Sequence, residues 1–271
     1  MKTVVITGSA RGFGYAMIEL FRKNDFNVVL CDVNKKALSD AKKKLDKLNN
    51  KGRVLSYQVD ITKEEDIKRL IDSTLKEVDT IDIWINNAGV NQTNQPIWDV
   101  PGEVIDRLID IDLKGTILCS KMIMKVMQKQ HSGQIFNVEG HGSNNATITG
   151  LSVYGTTKRA VTYFTEALSH ECEELNTGVL IGKITPGIMI TNFIHTSLGD
   201  GETIELDEKT KKVYNILGDY PETIAKYMVG KIINNKKNNV KFAWLTNRRA
   251  FARFMMAGFN KRDFFRDDNK V

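Results

Sequence analysis

Short runs of β-branched and aliphatic residues alternate along the chain with longer stretches in which apolar positions recur every three or four residues. The strand-like runs are Val4 to Thr7, Asn27 to Asp32, Arg53 to Asp60, Ile81 to Asn87, Gly133 to Val138 and Val179 to Thr185. Between them, Tyr15 to Lys23, Lys35 to Leu48, Lys63 to Glu77, Val104 to Lys129 and Tyr154 to Leu175 carry apolar residues at i, i+3, i+4 spacing. Strands buried on both faces read as near-continuous apolar runs, and amphipathic stretches between them read as crossover helices. The pattern predicts an α/β fold, a doubly wound parallel sheet with helices on both faces.

No Gly/Ser or Pro-rich linker divides the chain, which has only 4 prolines, so residues 1–240 read as a single domain. Residues 191–220 are polar, weakly periodic and too long for an ordinary connection. They read as a substrate lid, with Phe193, Ile194, Leu198 and Ile204 covering the substrate, or as a small helical insertion. Residues 241–271 form a basic C-terminal extension, in which Phe251, Phe254, Met255, Gly258 and Phe259 make a helical apolar stripe with Arg249 and Arg253 on the other side. Two readings stand: a helix packed on its own domain or on a second subunit, or a helix lying on an anionic membrane surface.

Composition narrows the class. With 271 residues, 41% hydrophobic and 27% charged, the chain is neither disordered, fibrous nor a disulfide scaffold. The net charge of +6 would suggest polyanion binding, but Lys231 to Val271 alone carries +8, leaving −2 on the rest. The basic residues show no docking motif, so nucleic acid is not an expected partner. Cys31, Cys119 and Cys172 are far apart and read as buried thiols of a reducing compartment, with no metal site implied. No apolar stretch approaches the roughly 18 residues of a membrane span, and no targeting segment is evident. The expected location is cytoplasmic.

The first chemistry lies between the first strand and first helix, in TGSARGFG (Thr7 to Gly14). Gly8, Gly12 and Gly14, with Arg11 and Phe13 between them, form a loop whose backbone can approach a pyrophosphate at the positive end of the helix. Asp32, at the end of the second strand, is the acid that would accept hydrogen bonds from the adenosine ribose. This is the fingerprint of a Rossmann-type sheet, and it favours NAD(H). Arg11 is a counter-signal that keeps NADP(H) open, because it stands where it can meet a 2′-phosphate. Asp60 and Ile61 either hold the adenine or form a strand-end turn ahead of a helix cap at Thr62.

TGSARGFG, NNAG (Asn86 to Gly89), YGTTK (Tyr154 to Lys158) and PGIMIT (Pro186 to Thr191), in this order, resemble the short-chain dehydrogenase/reductase family over most of the chain. The resemblance implies that Asn87, Ala88 and Gly89 lie beside the cofactor. It also implies that Pro186, Gly187, Ile188 and Thr191 wrap the nicotinamide. Tyr154 and Lys158 are four apart on a helix, so an ammonium can sit beside a phenol and ease its ionisation. Alone, such a pair is commonly a solvated lysine beside a packed ring; the accompanying motifs turn the reading to catalysis. Tyr154 is then the general acid/base, and Lys158 its partner and a ligand for the nicotinamide ribose.

Two positions depart from the family pattern. Counting from Gly133, the usual serine position is Gly140; Ser143 is the nearest hydroxyl, with Glu139 and His141 as alternatives, and Ser143 also fits a simple Gly-Ser-Asn turn. The asparagine expected on the fourth helix is Asp112, or Asp110 if the match slips. An acid there raises the lysine's pKa and retunes the phenol. IDIWINNAG, IFNVEGHGS, YGTTKR and VYNILGDYPETIAKYMV further resemble the chlorophyll b reductase branch of the family. The implied activity is hydride transfer between nicotinamide and a bulky apolar alcohol or carbonyl, such as a hydroxysteroid, a bile acid or a macrocycle formyl group. The competing reading is a non-catalytic dinucleotide-binding sensor. A homo-oligomer, dimer or tetramer, is expected.

Overall fold

The computed structural model describes residues 1–190, 208–259 and 262–265. The chain runs β1 (Thr3–Thr7), α1 (Gly12–Lys23), β2 (Asn27–Asp32), α2 (Lys35–Asp46), β3 (Val54–Gln58), α3 (Glu64–Glu77) and β4 (Ile83–Asn86). Next, α4 (Gly102–Leu108) passes through a π-helical segment (Ile109–Gly115) into α5 (Thr116–Gln130), followed by β5 (Gly133–Val138), α6 (Ser152–Glu174) and β6 (Val179–Thr185). After 191–207 come α7 (Glu208–Leu217), α8 (Pro221–Ile233), β7 (Val240–Ala243) and α9 (Asn247–Met256). The strands form one parallel sheet in the order β3-β2-β1-β4-β5-β6-β7.

Alternation along β1 divides the core. Val4 and Ile6 face a layer built by Phe13, Met17 and Phe21 of α1, Leu38 and Ala41 of α2, and Ile224 and Met228 of α8. Val5 faces the opposite layer, with Ile67 and Leu70 of α3, Ile123 and Met127 of α5, and Cys172 of α6. Period-two side chains covered on both sides are what a doubly wound sheet requires. Local signals agree: Asn34 caps α2 by accepting the Ala37 N–H at 2.9 Å, and Pro221 opens α8 at its first turn. All three cysteines are buried free thiols, as expected.

The sheet runs past the expected boundary at residue 240, because β7 pairs with β6 from Val240 to Ala243. Four residues with Lys241 exposed make an edge strand too short to show a clear period. Most of the expected lid, including Thr191, Phe193, Ile194, Leu198 and Ile204, lies outside the described residues. Its described remainder begins as a helix, α7, in line with the helical-insertion reading.

The C-terminal helix does not pack its apolar stripe on its own domain. Arg249 stacks its guanidinium 3.9 Å from the Trp244 ring centroid and bonds the Trp244 carbonyl at 2.7 Å. Arg253 reaches the Leu217 carbonyl at 2.9 Å and Asp219 at 2.7 Å. The apolar stripe points outward, with Phe251, Phe254, Met255, Met256 and Phe259 between 50% and 92% exposed. Thus the polar face of α9 packs on the body and the apolar face meets solvent.

Candidate active site

The order of strands reverses between β1 and β4, which opens a crevice at their C-terminal ends. The glycine loop and NNAG meet there. A side chain at Gly8, where φ is +60, would collide with Ala88 Cα at 2.8 Å, so only glycine lets the two loops touch. Asn87 ties them by donating to the Thr7 and Gly8 carbonyls at 2.9 and 3.1 Å. The Thr7 hydroxyl accepts both the Asn87 and Ala88 N–H groups at 2.9 Å. Gly89 closes over Lys158 and Asp112.

The crevice suits a dinucleotide. Gly12 has φ +59 and open space where a Cβ would stand, and no side chain caps the first turn of α1. Its N–H groups therefore remain available to a pyrophosphate. Asp32 is fixed by the Ala10 N–H at 3.3 Å and the Asn34 N–H at 3.0 Å, which places its carboxylate beside the loop. Arg11 is exposed. The Phe13 side chain is buried in the core, so only its backbone faces an anion.

Asp60 and Ile61 belong to the turn. Asp60 accepts the Thr62 N–H at 3.0 Å and hydroxyl at 2.7 Å, and Lys63 lies 3.5 Å away. Partial burial works to raise the Asp60 pKa, but these bonds outweigh it and hold the carboxyl below its usual range. Ile61 is buried against Gly115. Lys63, not Thr62, stands at the cap position of α3.

Tyr154 and Lys158 share one face of α6, the ammonium 5.5 Å from the phenol ring centroid. Lys158 Nζ lies 2.9 Å from Asp112 Oδ2, and Asp112 is wholly buried. Asp110 instead turns outward to Lys114 at 3.2 Å, so Asp112 is the acid of the site. Burial raises the Tyr154 pKa, Lys158 acts to lower it, and Asp112 and Tyr214 of α7 raise it; the net direction is upward. Burial opposes the charge on Lys158, but Asp112 and Tyr154 prevail and the ammonium is stabilised.

The polar alternatives in the 139–143 loop separate. Ser143 is buried, accepts the Gly140 N–H and donates to the Lys158 carbonyl, each at 3.3 Å, so its hydroxyl ties the loop to α6. Glu139 accepts from Thr162 at 2.8 Å and Thr185 at 2.6 Å and pairs with Lys241 at 2.7 Å. His141 is partly buried, its Nε2 has no hydrogen-bond partner among the described residues, and burial lowers its pKa. Sequence reasoning missed Gln92, which accepts the Tyr154 N–H at 3.1 Å and donates to the Gly150 carbonyl at 3.0 Å. It also missed Asn137, which accepts from Asn86 at 2.7 Å and donates to Thr165 at 2.9 Å. Neither residue has a sequence signal beyond its nearness to NNAG or the fifth strand.

Pro186, Gly187 and Ile188 follow β6 at the same crevice. The Asp219 N–H donates to the Ile188 carbonyl at 3.1 Å, and the Ile190 N–H returns to the Asp219 carbonyl at 3.0 Å. The Asp219 carboxylate is held by Trp244 Nε1 at 2.6 Å, Arg253 at 2.7 Å and Arg262 at 3.0 Å. Phe265 lies 6.5 Å from the Tyr214 ring, and Phe264 lies 5.1 Å from the Tyr220 ring. Among the described residues there is no cluster fit for a metal ion and no helix long and apolar enough to cross a membrane.

This fold and this crevice define a class. The family described as short chain dehydrogenase matches residues 2–200, and the chain belongs to it. It is 29% identical over its whole length to a probable chloroplastic chlorophyll(ide) b reductase of Arabidopsis thaliana, but spans only 56% of that relative. It is 30% identical to a chloroplastic chlorophyll(ide) b reductase of Oryza sativa subsp. japonica, covering 96% of this chain and 76% of that one. A 3-ketoacyl-(acyl-carrier-protein) reductase from Brucella melitensis, solved with NADH, shares the fold at TM-score 0.78 and 21% identity, over 92% of this chain and 98% of that one. ElxO, solved with NADP bound, aligns at TM-score 0.75 and 25% identity, over 89% and 96%.

Proposed function

We propose that the protein is a nicotinamide-dependent oxidoreductase acting on a carbonyl or secondary alcohol of a bulky apolar substrate, with NAD(H) preferred. The observation that carries this reading is the pairing of the half-buried Tyr154 with the buried Lys158 at the crevice where the glycine loop and Asp32 meet. A bound dinucleotide would supply or accept the hydride. Tyr154 gives its phenolic proton to the carbonyl oxygen in reduction and takes it back in oxidation. Lys158 orients the phenol and offers its ammonium to the nicotinamide ribose, and Ser143 keeps the adjoining loop in register. Asp32 favours NAD, because a fixed carboxylate repels a 2′-phosphate.

The aromatic surroundings of Tyr214 and the relatives named for chlorophyll(ide) b both support a large apolar substrate. A macrocycle formyl group and a ketosteroid are the two forms to test first. Hydride transfer is followed by reduced-nicotinamide absorbance over a panel of steroids, bile acids, formyl macrocycles, aldehydes and sugars. Turnover on an apolar member is expected, and Tyr154→Phe should abolish it while dinucleotide binding persists. Turnover retained by that variant, or binding with no turnover across the panel, overturns the assignment. Tighter binding of NADP than of NAD overturns the cofactor preference.

We further infer that the outward face of α9 contacts an anionic lipid surface. The support is its inverted packing, which leaves Phe251, Phe254, Met255, Met256 and Phe259 exposed within a strongly basic segment. An apolar substrate dissolved in lipid would then be met at the membrane surface.

A further inference from the structure

The family resemblance implies an amide on the fourth helix, and this chain has an acid. Asp112 sits in the π-helical segment between α4 and α5, a widened turn of a kind often found at functional sites. Oδ1 accepts the Val90 N–H at 2.7 Å, while the buried Oδ2 accepts no hydrogen bond among the described residues and is met by the Lys158 ammonium as an ion pair at 2.9 Å. A Cβ added at Gly89 would fall 3.3 Å from both Asp112 Oδ1 and Lys158 Nζ, so the loop backbone lies close against the pair. A buried carboxylate and ammonium and the half-buried phenol thus form one cluster.

Building on the catalytic reading above, we propose that Asp112 is a positioning residue. By pairing with Lys158 it neutralises the ammonium and holds Tyr154 as the protonated phenol, which fits the site for carbonyl reduction into the alkaline range. An unpaired ammonium beside a phenol stabilises the phenolate, whereas one paired at close range offers a dipole in place of a net charge. The groups acting on the phenol are Lys158 from its own helix, Asp112 from the π segment and Tyr214 from α7. Burial, Asp112 and Tyr214 all favour the neutral phenol, and Lys158 alone opposes them. Oxidation needs the phenolate and rises with pH through the phenol's pKa; reduction needs the phenol and falls through the same pKa. Raising that pKa moves both limbs toward alkali.

Asp112→Asn tests this, because it keeps the size of the side chain and an acceptor for the Val90 N–H while removing the charge. Tyrosinate absorbance of the full-length protein, less that of the matching Tyr154→Phe protein, reads the Tyr154 titration without any substrate. The midpoint should fall by about one to three pH units in Asp112→Asn. The pH profiles of turnover in both directions should move with it. Asp112→Glu, which restores the charge, should stay within about half a unit of the parent. Melting and NAD(H) affinity verify the fold, and Asp112→Ser takes the place of Asp112→Asn if the latter does not fold. An unchanged midpoint in a folded, uncharged variant overturns the proposal but leaves the proposed function intact. So does a glutamate variant that titrates like the asparagine one. Turnover by Tyr154→Phe, in contrast, removes the function itself.

Discussion

At Gly140, a Cβ would stand 2.2 Å from the Tyr154 hydroxyl oxygen, so the phenol occupies space that a side chain there would need. Gly140→Ser restores the residue implied by the family pattern, yet it should impair this protein by pushing the phenol off its position beside Lys158. A displacement of about 1 Å predicts a fall in kcat on the order of a hundredfold, with NAD(H) affinity unchanged. Steady-state kinetics beside a binding titration checks this; a serine variant as active as its parent would count against the displacement. Tyr154, Lys158 and Asp32 were legible in the sequence because each stands at a fixed spacing from a motif. The Asp60 turn was legible as one of two readings, since its bonds run to Thr62 two residues on, whereas the tie from Ser143 was not, because its partner is the Lys158 carbonyl fifteen residues away. Asp112 was legible as a departure, but its choice over Asp110 needed the π-helical turn, which no periodicity announces.

At the scale of elements, Asp219 joins parts that the sequence leaves far apart. Its backbone pairs with Ile188 and Ile190, and its carboxylate holds Trp244, Arg253 and Arg262. The stretch that follows β6 is thereby tied to the C-terminal segment, which also brings Phe265 to Tyr214. Asp219→Ala should lower stability by on the order of 2 kcal/mol, the range for losing charge-assisted hydrogen bonds at a largely buried acid. Faster hydrogen exchange at the Ile190 amide and a higher KM for NAD(H) should accompany it. Denaturant unfolding and exchange measured on the same protein decide the matter, and unchanged exchange at Ile190 would sink the link between the loop and the segment. The six strand runs and the helix across 104–129 were readable because burial on two faces imposes runs and periods. The orientation of α9 was not, since amphipathicity shows that a helix has two faces but not which one finds a partner. Two of its inward partners, the Leu217 carbonyl and the Asp219 carboxylate, lie more than thirty residues away in the chain, with no local signal.

For the whole molecule, the charge matters through where it is neutralised. Lys231 to Val271 carries +8 against −2 for the rest, yet Arg253 and Arg262 are paired with Asp219. Among the described residues, Lys231, Lys236 and Lys237 are exposed, and an apolar face of phenylalanine and methionine stays outward beside exposed Arg248. Burying one such side chain in the acyl boundary contributes about 1.5–3 kcal/mol when complete, and less for partial insertion. Cations near an anionic leaflet add about 1 kcal/mol each, screened within a Debye length of about 10 Å at 0.1 M salt. The protein should therefore sediment with phosphatidylserine-containing vesicles at low salt, release partly as salt is raised, and bind zwitterionic vesicles weakly. Phe254→Asp combined with Phe259→Asp should abolish binding while leaving NAD(H) affinity unchanged, because both side chains are exposed and neither belongs to the glycine loop, NNAG or the Tyr154–Lys158 pair. Equal binding to both vesicle types would mean that charge plays no part. No binding to either, together with a larger mass in solution that the double variant reduces, would give this face to a second copy of the chain.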